Sequence, residues 1–423
     1  MIRPIRTTGV LFLIFITSLA VAQTSTVSPY SRFGPGDILF SGFAQQRAMG
    51  GTGIAESHSS RLNVLNPASY AYDSLMIFEF GLSGDRTWQE QGDLSSKKWN
   101  AKIEYIALGL PLKKNFWGLS FGMMPFNGLG YSIQTSAAVD SANTLTTTYD
   151  GKGGFNKYYV GTGFKLFKGL SVGVNASYLF GIMDLNRKAK YSDANFIGTR
   201  LTDEMQTGDF IFDAGLHYRL ELTGEKVFSA GFTYTPEQKV TAKRTVLWDT
   251  FRENVYGVDV TRDTVAFIEG QKGDLVLPAE MAFGLQLANG DKWLVRSDLR
   301  YREWSKYSSF GTKDSLENSF RASIGGQYVR DAKGNKVVDR IQYRAGGFFQ
   351  QSCLTLRDSR INEFGISLGA GVPLKKAYQS MLNFTIELGQ RGTTENNLIR
   401  ERYVRFVFGL TFNENWFIKR RYE

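Results

Sequence analysis

Tyr403-Val404-Arg405-Phe406-Val407-Phe408-Gly409-Leu410-Thr411-Phe412 alternates strictly. Val404, Phe406, Phe408, Leu410 and Phe412 share one parity, and Tyr403, Arg405, Val407, Gly409 and Thr411 the other. Side chains of a β-strand point to opposite faces with a period of two. One face of this segment is therefore almost wholly apolar, while the other is mixed and carries glycine. A soluble sandwich can use one such strand. A whole chain of them, each roughly ten residues or more, is what a transmembrane barrel requires, because lipid satisfies no open backbone edge.

The rest of the chain repeats the pattern. Fourteen segments read as strands: 75–86, 99–112, 116–134, 155–167, 169–189, 205–222, 227–243, 275–289, 292–306, 317–331, 337–351, 360–373, 379–391 and 399–413. Their lipid-facing rows include Met76, Phe78, Phe80 and Leu82; Trp117, Leu119, Phe121 and Met123; Leu170, Val172 and Val174; Met281, Phe283, Leu285 and Leu287; and Leu382, Phe384, Ile386 and Leu388. Short polar connections follow even-numbered strands: Lys113-Lys114-Asn115, Lys168-Gly169 and Asn289-Gly290-Asp291. Asn-Gly predicts a two-residue type I′ hairpin, in which both central residues need φ > 0. Longer polar segments, 135–154, 190–204 and 244–274, follow odd-numbered strands and read as loops. Outer-membrane barrels place short turns in the periplasm and long loops outside, so an even count leaves both ends of the barrel periplasmic. The expected fold is an all-β membrane protein, a 14-stranded antiparallel transmembrane β-barrel with an N-terminal hatch or plug. Trp117, Trp293 and Trp304 are expected to join interfacial aromatic girdles.

Residues 1–22 read as a signal peptide. Arg3 and Arg6 precede the apolar run Val10 to Val21, and Ala20-Val21-Ala22 places small residues before Gln23. Gln at position 23 speaks against a lipoprotein anchor. The lone Cys353 cannot form an internal disulfide. No later stretch approaches ~18 consecutive apolar residues, so no spanning helix is expected. Export without a helical anchor, combined with amphipathic strands, points to the cell outer membrane.

The formal charge is +10 and falls by two when Arg3 and Arg6 leave with the leader. Export and the strand pattern argue against a nucleic-acid partner, which a basic balance alone would allow. Forty-five glycines and 14% aromatic residues suit barrel strands and girdles. A slightly negative mean hydropathy fits strands of which half the residues face a polar lumen.

Residues 23–74 do not alternate. Ser28-Pro29-Tyr30-Ser31-Arg32-Phe33-Gly34 is turn-rich, and Met49-Gly50-Gly51-Thr52-Gly53 is too rich in glycine for a stable helix or strand. The segment reads as a hatch inside the barrel, with a periplasmic extension as the alternative. The barrel itself is expected over 75–413, and 414–423 as a periplasmic C-terminal tail.

Several motifs resemble the FadL family of outer-membrane transporters for fatty acids and other hydrophobic compounds. Gly50-Gly51-Thr52-Gly53-Ile54-Ala55 followed by Asn66-Pro67-Ala68 is similar to the family's hatch and its Asn-Pro-Ala signature. Phe116-Trp117-Gly118-Leu119-Ser120-Phe121-Gly122, leading to Pro125-Phe126-Asn127-Gly128-Leu129-Gly130, resembles its third strand. Leu277-Pro278-Ala279-Glu280, Trp293 to Asp298 and Trp304-Ser305 resemble its eighth and ninth, and Tyr343-Arg344-Ala345-Gly346 a late strand. Both ends of the chain depart from the fatty-acid transporters. Ser28 to Gly34 and the tail Glu414 to Glu423 resemble proteins of the Bacteroidetes group, including the PorV type, a FadL-related barrel that works as a secretion-complex partner. The resemblance implies passive uptake of a hydrophobic, fatty-acid-like small molecule through a lateral opening into the membrane lipids. The alternative it implies is a non-transporting barrel serving other outer-membrane or periplasmic subunits in a secretion or assembly complex.

The candidate site residues follow from these patterns. Pro125 interrupts a regular strand, since proline cannot donate to the ladder, and Phe126, Asn127, Gly128 and Gly130 follow it. In the resembling family a kink here opens a lateral gate; otherwise Pro125 simply marks the membrane rim. Gly50, Gly51, Gly53, Asn66, Pro67 and Ala68 are the hatch candidates. Arg296, Arg300, Arg302, Arg340 and Arg344 share the lumen parity, as do Asp298, Glu280, Glu363 and Glu387. They form either an anion-binding lumen or an ion-pair lattice that braces the wall. Trp416, Phe417, Lys419, Arg420 and Arg421 suit docking to a partner or anchoring at the membrane surface. Enzymatic readings are weak. His58 and His217 are the only histidines, no Cys/His cluster has metal-ligand spacing, and the glycines at 50, 51 and 53 lack the Lys-Ser/Thr of a phosphate loop. No metal, cofactor or catalytic residue is expected.

Overall fold

The computed structural model describes residues 26–140, 143–193, 195–254, 256–374 and 380–415. The signal-peptide reading (1–22) and the docking reading of Trp416, Phe417, Lys419, Arg420 and Arg421 lie outside the described residues.

Fourteen wall strands run in chain order: β1 Met76–Gln91, β2 Leu94–Lys113, β3 Trp117–Pro125 with Asn127–Ala138, β4 Thr144–Phe167 and β5 Leu170–Tyr191. They continue as β6 Gly198–Glu221, β7 Lys226–Thr235 with Gln238–Glu253, β8 Asp259–Leu277 with Glu280–Asn289, β9 Trp293–Arg302 and β10 Ser319–Val329. The last four are β11 Gln342–Leu356, β12 Ser359–Pro373, β13 Met381–Arg391 and β14 Arg400–Glu414. Consecutive strands pair antiparallel, and β14 closes on β1 from Met76↔Glu414 to Glu90↔Arg400. Closure removes the free edges that lipid could not satisfy.

The parity that defined the strands decides their two faces. Phe406 is 52% exposed and its neighbour Val407 only 3%. Phe384, Ile386 and Leu388 on β13 and Met281, Phe283, Leu285 and Leu287 on β8 are likewise exposed, forming an apolar outer band.

Three features differ from the expectation. The segments 135–154, 190–204 and 244–274 are mostly strand: β3 runs to Ala138, β4 starts at Thr144, and β7 and β8 pair from Gln238↔Leu277 up to Glu253↔Asp259. Above the bilayer lipid no longer demands an apolar outer face, so the alternation fades while β-branched residues such as Thr146, Thr147, Val246 and Val265 keep the strand. The turn at Asn289-Gly290-Asp291 is a three-residue connection, not type I′. Asn289 is the last strand residue, only Gly290 has positive φ (49°), and Lys292 N–H closes on the Asn289 carbonyl at 3.1 Å. The two-residue turn with both φ values positive is instead Arg357 (50°) and Asp358 (60°), between β11 and β12. Trp304 leaves the girdle: it starts a 3-10 turn after β9, is 4% exposed, and packs edge-on to Tyr307 at 5.9 Å.

The N-terminal segment packs against inward-facing residues of this wall. It contains a 3-10 turn Pro29–Arg32, a two-residue bridge Asp37–Ile38, one helical turn Ala44–Arg47 and a 3-10 helix Pro67–Tyr72. Phe43, Leu62, Val64 and Tyr70 pack with inward-facing Ile77, Tyr105, Met124 and Tyr159 in one apolar cluster. The wall admits this backbone at close range because it presents glycine there. A Cβ on Gly231 would stand 2.0 Å from the Ile54 carbonyl oxygen, and one on Gly325 would stand 2.3 Å from that of Met49.

Candidate functional site

The N-terminal segment is joined to inward-facing side chains around the barrel. Asn66 holds its C-terminal end. Proline at 67 restricts Asn66 to extended backbone, observed at φ −142° and ψ 106°, and the Asn66 side chain accepts from Ala68 N–H at 3.1 Å to start the 3-10 helix. The same side chain donates to the carbonyls of Ile54 (2.8 Å) and of Leu216 on β6 (3.0 Å). Tyr70 donates to Asn175 on β5 at 3.1 Å. Pro67 and Ala68 pass against Gly173, where a Cβ would meet the Pro67 carbonyl carbon at 2.4 Å.

The glycine run sits on the opposite wall. Gly50 (φ 71°) and Gly51 (φ 86°) take left-handed backbone that other residues resist. Gly50 N–H donates to Ser367 on β12 at 2.9 Å, and Arg321 on β10 donates to the Gly50 carbonyl at 3.3 Å. The amides of Gly53 and Ile54 both donate to one oxygen of Asp298 on β9, at 2.7 and 3.0 Å.

Charge completes the attachment. Glu56 and Arg296 form a 2.8 Å ion pair with side chains 0% and 2% exposed. Burial opposes the Glu56 charge, but Arg296 and Arg61 hold its carboxyl below the usual range. Gln46 donates to the second Glu56 oxygen at 2.7 Å, and Arg296 donates to Gln286 at 2.7 Å. Arg47 lies 3.4 Å from Glu104 on β2 and 3.7 Å from Glu387 on β13, and Glu387 also pairs with Arg405 at 2.8 Å.

The lumen arginines therefore divide. Arg300 (3.5 Å) and Arg302 share the single carboxylate Glu280. Among the described residues Arg344 bonds amide oxygens alone, of Gln327 (3.0 Å), Asn383 (2.7 Å) and Gln342 (2.5 Å). Arg340 is not on a strand at all. It ends the 3-10 turn Val337–Arg340 between β10 and β11, because the polar run before Gln342 forms a connection rather than ladder. Of the wall carboxylates, Glu363 accepts from Tyr403 at 2.7 Å. The inward His217 faces the Ala55 carbonyl at 3.1 Å and the Tyr72 hydroxyl at 3.3 Å.

Around Pro125 the wall changes partners. The β2–β3 ladder runs from Lys113↔Trp117 only to Ile106↔Met123, while β3 stays with β4 through Pro125↔Asn156 and again from Leu129↔Gly153. Residues 94–105 of β2 thus have β1 as their one ladder partner among the described residues. Phe126 itself donates to the Phe155 carbonyl at 2.9 Å. Asn127 substitutes a side chain for the broken ladder: its Oδ1 accepts from Phe155 N–H at 2.5 Å and its Nδ2 donates to the Pro35 carbonyl. The place of β2 is taken by the N-terminal segment, with Asp37↔Gly128 and Ile38↔Asn127 in register and Gly130 N–H donating to Ser31 at 3.1 Å.

Behind this break lies a cavity of about 210 Å³. Ile38, Leu39, Phe40 and Phe126 line it together with Lys157, Arg300 and Arg302. The structure so brings Phe126 together with Arg300 and Arg302 and leaves Arg296 and Arg344 in the layer held by Glu56 and Gln327. Strand parity gives no sign of Arg47, Glu56 and Arg61. The available signal is scarcity: Arg32, Asp37, Arg47, Glu56, Arg61 and Asp73 are the six charged residues of 26–74.

A closed wall of fourteen strands with an apolar outer band, entered by its own N-terminal segment, is an outer-membrane β-barrel. The chain belongs to the BamG family, whose model matches residues 1–423. No curated protein sequence matches it. Among solved structures it resembles the CymD monoaromatic hydrocarbon channel, with TM-score 0.57 and 14% identity over 90% of this chain and 100% of that one. It also resembles the Ralstonia pickettii toluene transporter TbuX (0.57, 15% identity, 88% and 99% covered). A Pseudomonas aeruginosa FadL homologue gives 0.58 and 12% identity over 91% and 100% of the two chains. These likenesses establish the FadL-type barrel fold.

Proposed function

We propose that the barrel admits hydrophobic small molecules from outside and releases them sideways into the bilayer between β2 and β3, with residues 26–74 as a hatch that closes the axial route. One observation carries this reading: the β2–β3 ladder stops at Ile106↔Met123 although both strands continue, and a cavity lined by Phe126 lies behind the gap. An apolar molecule leaving there enters lipid without crossing the ion-paired layer of Glu56 and Arg296. The similar CymD is a monoaromatic hydrocarbon channel and the similar TbuX a toluene transporter, which supports an apolar rather than a sugar-like cargo. The test is entry of a labelled aromatic hydrocarbon into a deletion strain complemented with wild type or with Pro125→Ala/Gly128→Val. The variant should slow entry severalfold at equal barrel abundance. Uptake equal to wild type removes the gate.

A second reading, the complex subunit implied by the PorV-type resemblance, is favoured by the β7–β8 hairpin. Its outer part exposes Tyr256 (87%), Val258 (57%) and Phe267 (57%) beyond the apolar band, a costly arrangement unless another protein covers it. The 210 Å³ cavity is also below the roughly 300–1,000 Å³ of ordinary ligand pockets. Affinity purification from native membranes separates the two readings. Stoichiometric co-purifying subunits without bound hydrophobic compound support the second, and a lone barrel carrying such a compound supports the first.

A further inference from the structure

A cavity larger than the one behind the proposed gate lies at the opposite mouth. A cavity of about 450 Å³ lies between the hatch and the short-turn ends of β6 to β10, lined by Ser57, His58, Arg61, Arg219, Asp291 and Arg296, among others. A second space of about 160 Å³ adjoins it through His58, Arg61 and Asp291 and reaches Arg340. In barrels of this kind the short turns face the periplasm.

The lining has a surplus of unused donors. Arg61 is 6% exposed, and its only hydrogen bond among the described residues runs from Nη1 to Gln327 at 3.3 Å. Neither it nor Arg219 has a carboxylate within 4.0 Å among the described residues. Arg296 is 2% exposed, and although Glu56 and Gln286 hold two of its nitrogens, its Nη1 has no partner among the described residues. Ser57 is 8% exposed, and its Oγ is buried without a partner among the described residues. Against the three guanidinium groups stand two carboxylates. Glu56 is occupied by Arg296, and Asp291 sits at the rim with its side chain 70% exposed, 3.8 Å from His58.

A desolvated guanidinium with no paired carboxylate of its own is a costly state, and a planar fork of N–H donors matches the oxygens of a phosphate group. The volume holds such a group together with several waters, each of which takes about 30 Å³ in the liquid. We propose that this periplasmic chamber is a binding site for a phosphate-class oxyanion, held by Arg61, Arg219 and Ser57 with Arg296 behind them. The bound anion ties the hatch, through Ser57 and Arg61, to the wall strands β6 and β9, so the site is also a clamp on the hatch. This is independent of what passes the gap between β2 and β3.

The full-length protein in detergent is titrated calorimetrically with inorganic phosphate at constant ionic strength, with chloride as the control anion. A parallel titration uses a lysophospholipid bearing a phosphomonoester head. Saturable heat with both probes identifies a site for the free oxyanion, and heat with the lipid alone identifies a headgroup site; either outcome supports the proposal. Arg61→Gln should weaken binding roughly ten- to a hundredfold, the scale of lost charge-assisted hydrogen bonds, and Arg61→Lys less. Arg219→Gln, on a wall strand at the chamber edge, should weaken it too, and it keeps the test valid should the hatch variant fold poorly. Phosphate should also slow proteolysis of the hatch in wild type and not in Arg219→Gln. The absence of saturable heat with either probe overturns the site. So does equal affinity in wild type and Arg219→Gln.

Discussion

Replacing Glu56 by Gln asks how firmly the hatch is held. The carboxylate is fully buried, pairs with Arg296 at 2.8 Å, and also lies in the field of Arg61. Removing one partner of a buried ion pair leaves the other charge desolvated and unpaired, at a cost of ~3–5 kcal/mol. At about 1.4 kcal/mol per decade, that shifts the docked-to-released balance of the hatch by roughly a hundred- to a few thousandfold. The other attachments remain: Asp298 still accepts from Gly53 and Ile54, and Asn66 still donates to Leu216. The hatch should therefore loosen near Glu56 without leaving the barrel. Limited proteolysis in detergent should cleave Glu56→Gln within 26–74 far faster than wild type, while the wall stays intact. Planar-bilayer recordings should show intermittent openings where wild type is silent. Replacing both partners, Glu56→Met with Arg296→Met, should recover most of the protection, because well-packed apolar residues often match a buried pair in stability. Recovery stays incomplete because Arg61 still loses its nearby carboxylate. Wild-type proteolysis and conductance in Glu56→Gln would refute the reasoning, and so would a double variant looser than the single one.

Two further outcomes test the hatch. Deleting residues 28–65 should convert a closed barrel into a water-filled channel with the fourteen strands still folded; near-zero conductance in the folded deletion would mean that wall side chains block the lumen. His58 should make docking sensitive to mild acid. Burial first, and then Arg61, depress its proton affinity below the ordinary 6.5, against the pull of Asp291 and Glu56. The released histidine takes up a proton as pH falls through 6.5 and the docked one does so only lower, so docking weakens across that window. Glu56 moves the other boundary: its depressed carboxyl keeps its contribution until pH falls below the ordinary carboxylate value of 4.5. Hatch proteolysis followed from about pH 7.5 to about 5.5 should therefore accelerate in wild type and stay flat in His58→Gln. An equal acceleration in both would assign the effect to another group.

How much of this was legible in the sequence depends on how far apart the interacting residues lie. Strand number, order and facing are local properties. Lipid demands one apolar parity from each crossing, so Val404 to Phe412 or Met281 to Leu287 declare themselves within nine residues or fewer. The same demand stops at the membrane surface, which is why the outer parts of β7 and β8 over 244–274 read as a loop and are ladder from Arg244↔Gln271 to Glu253↔Asp259. The hatch obeys a different logic. Arg296 has the lumen parity, and wall carboxylates such as Asp298 and Glu280 are its natural candidates, yet its partner Glu56 is 240 residues away. Asp298 serves the amides of Gly53 and Ile54 instead. No spacing rule joins such pairs, because their contact exists only once the barrel has closed around the segment. The interruption at Pro125 lies between the two cases. Proline announced that the ladder would falter there, but only the register shows that β2 is the strand abandoned and Asp37–Ile38 the one that takes its place. If the proposed opening into the bilayer lies at this point, it is under the control of the N-terminal segment that pairs there. Residues that loosen 26–74, Glu56 first among them, should change sideways release as well as axial closure.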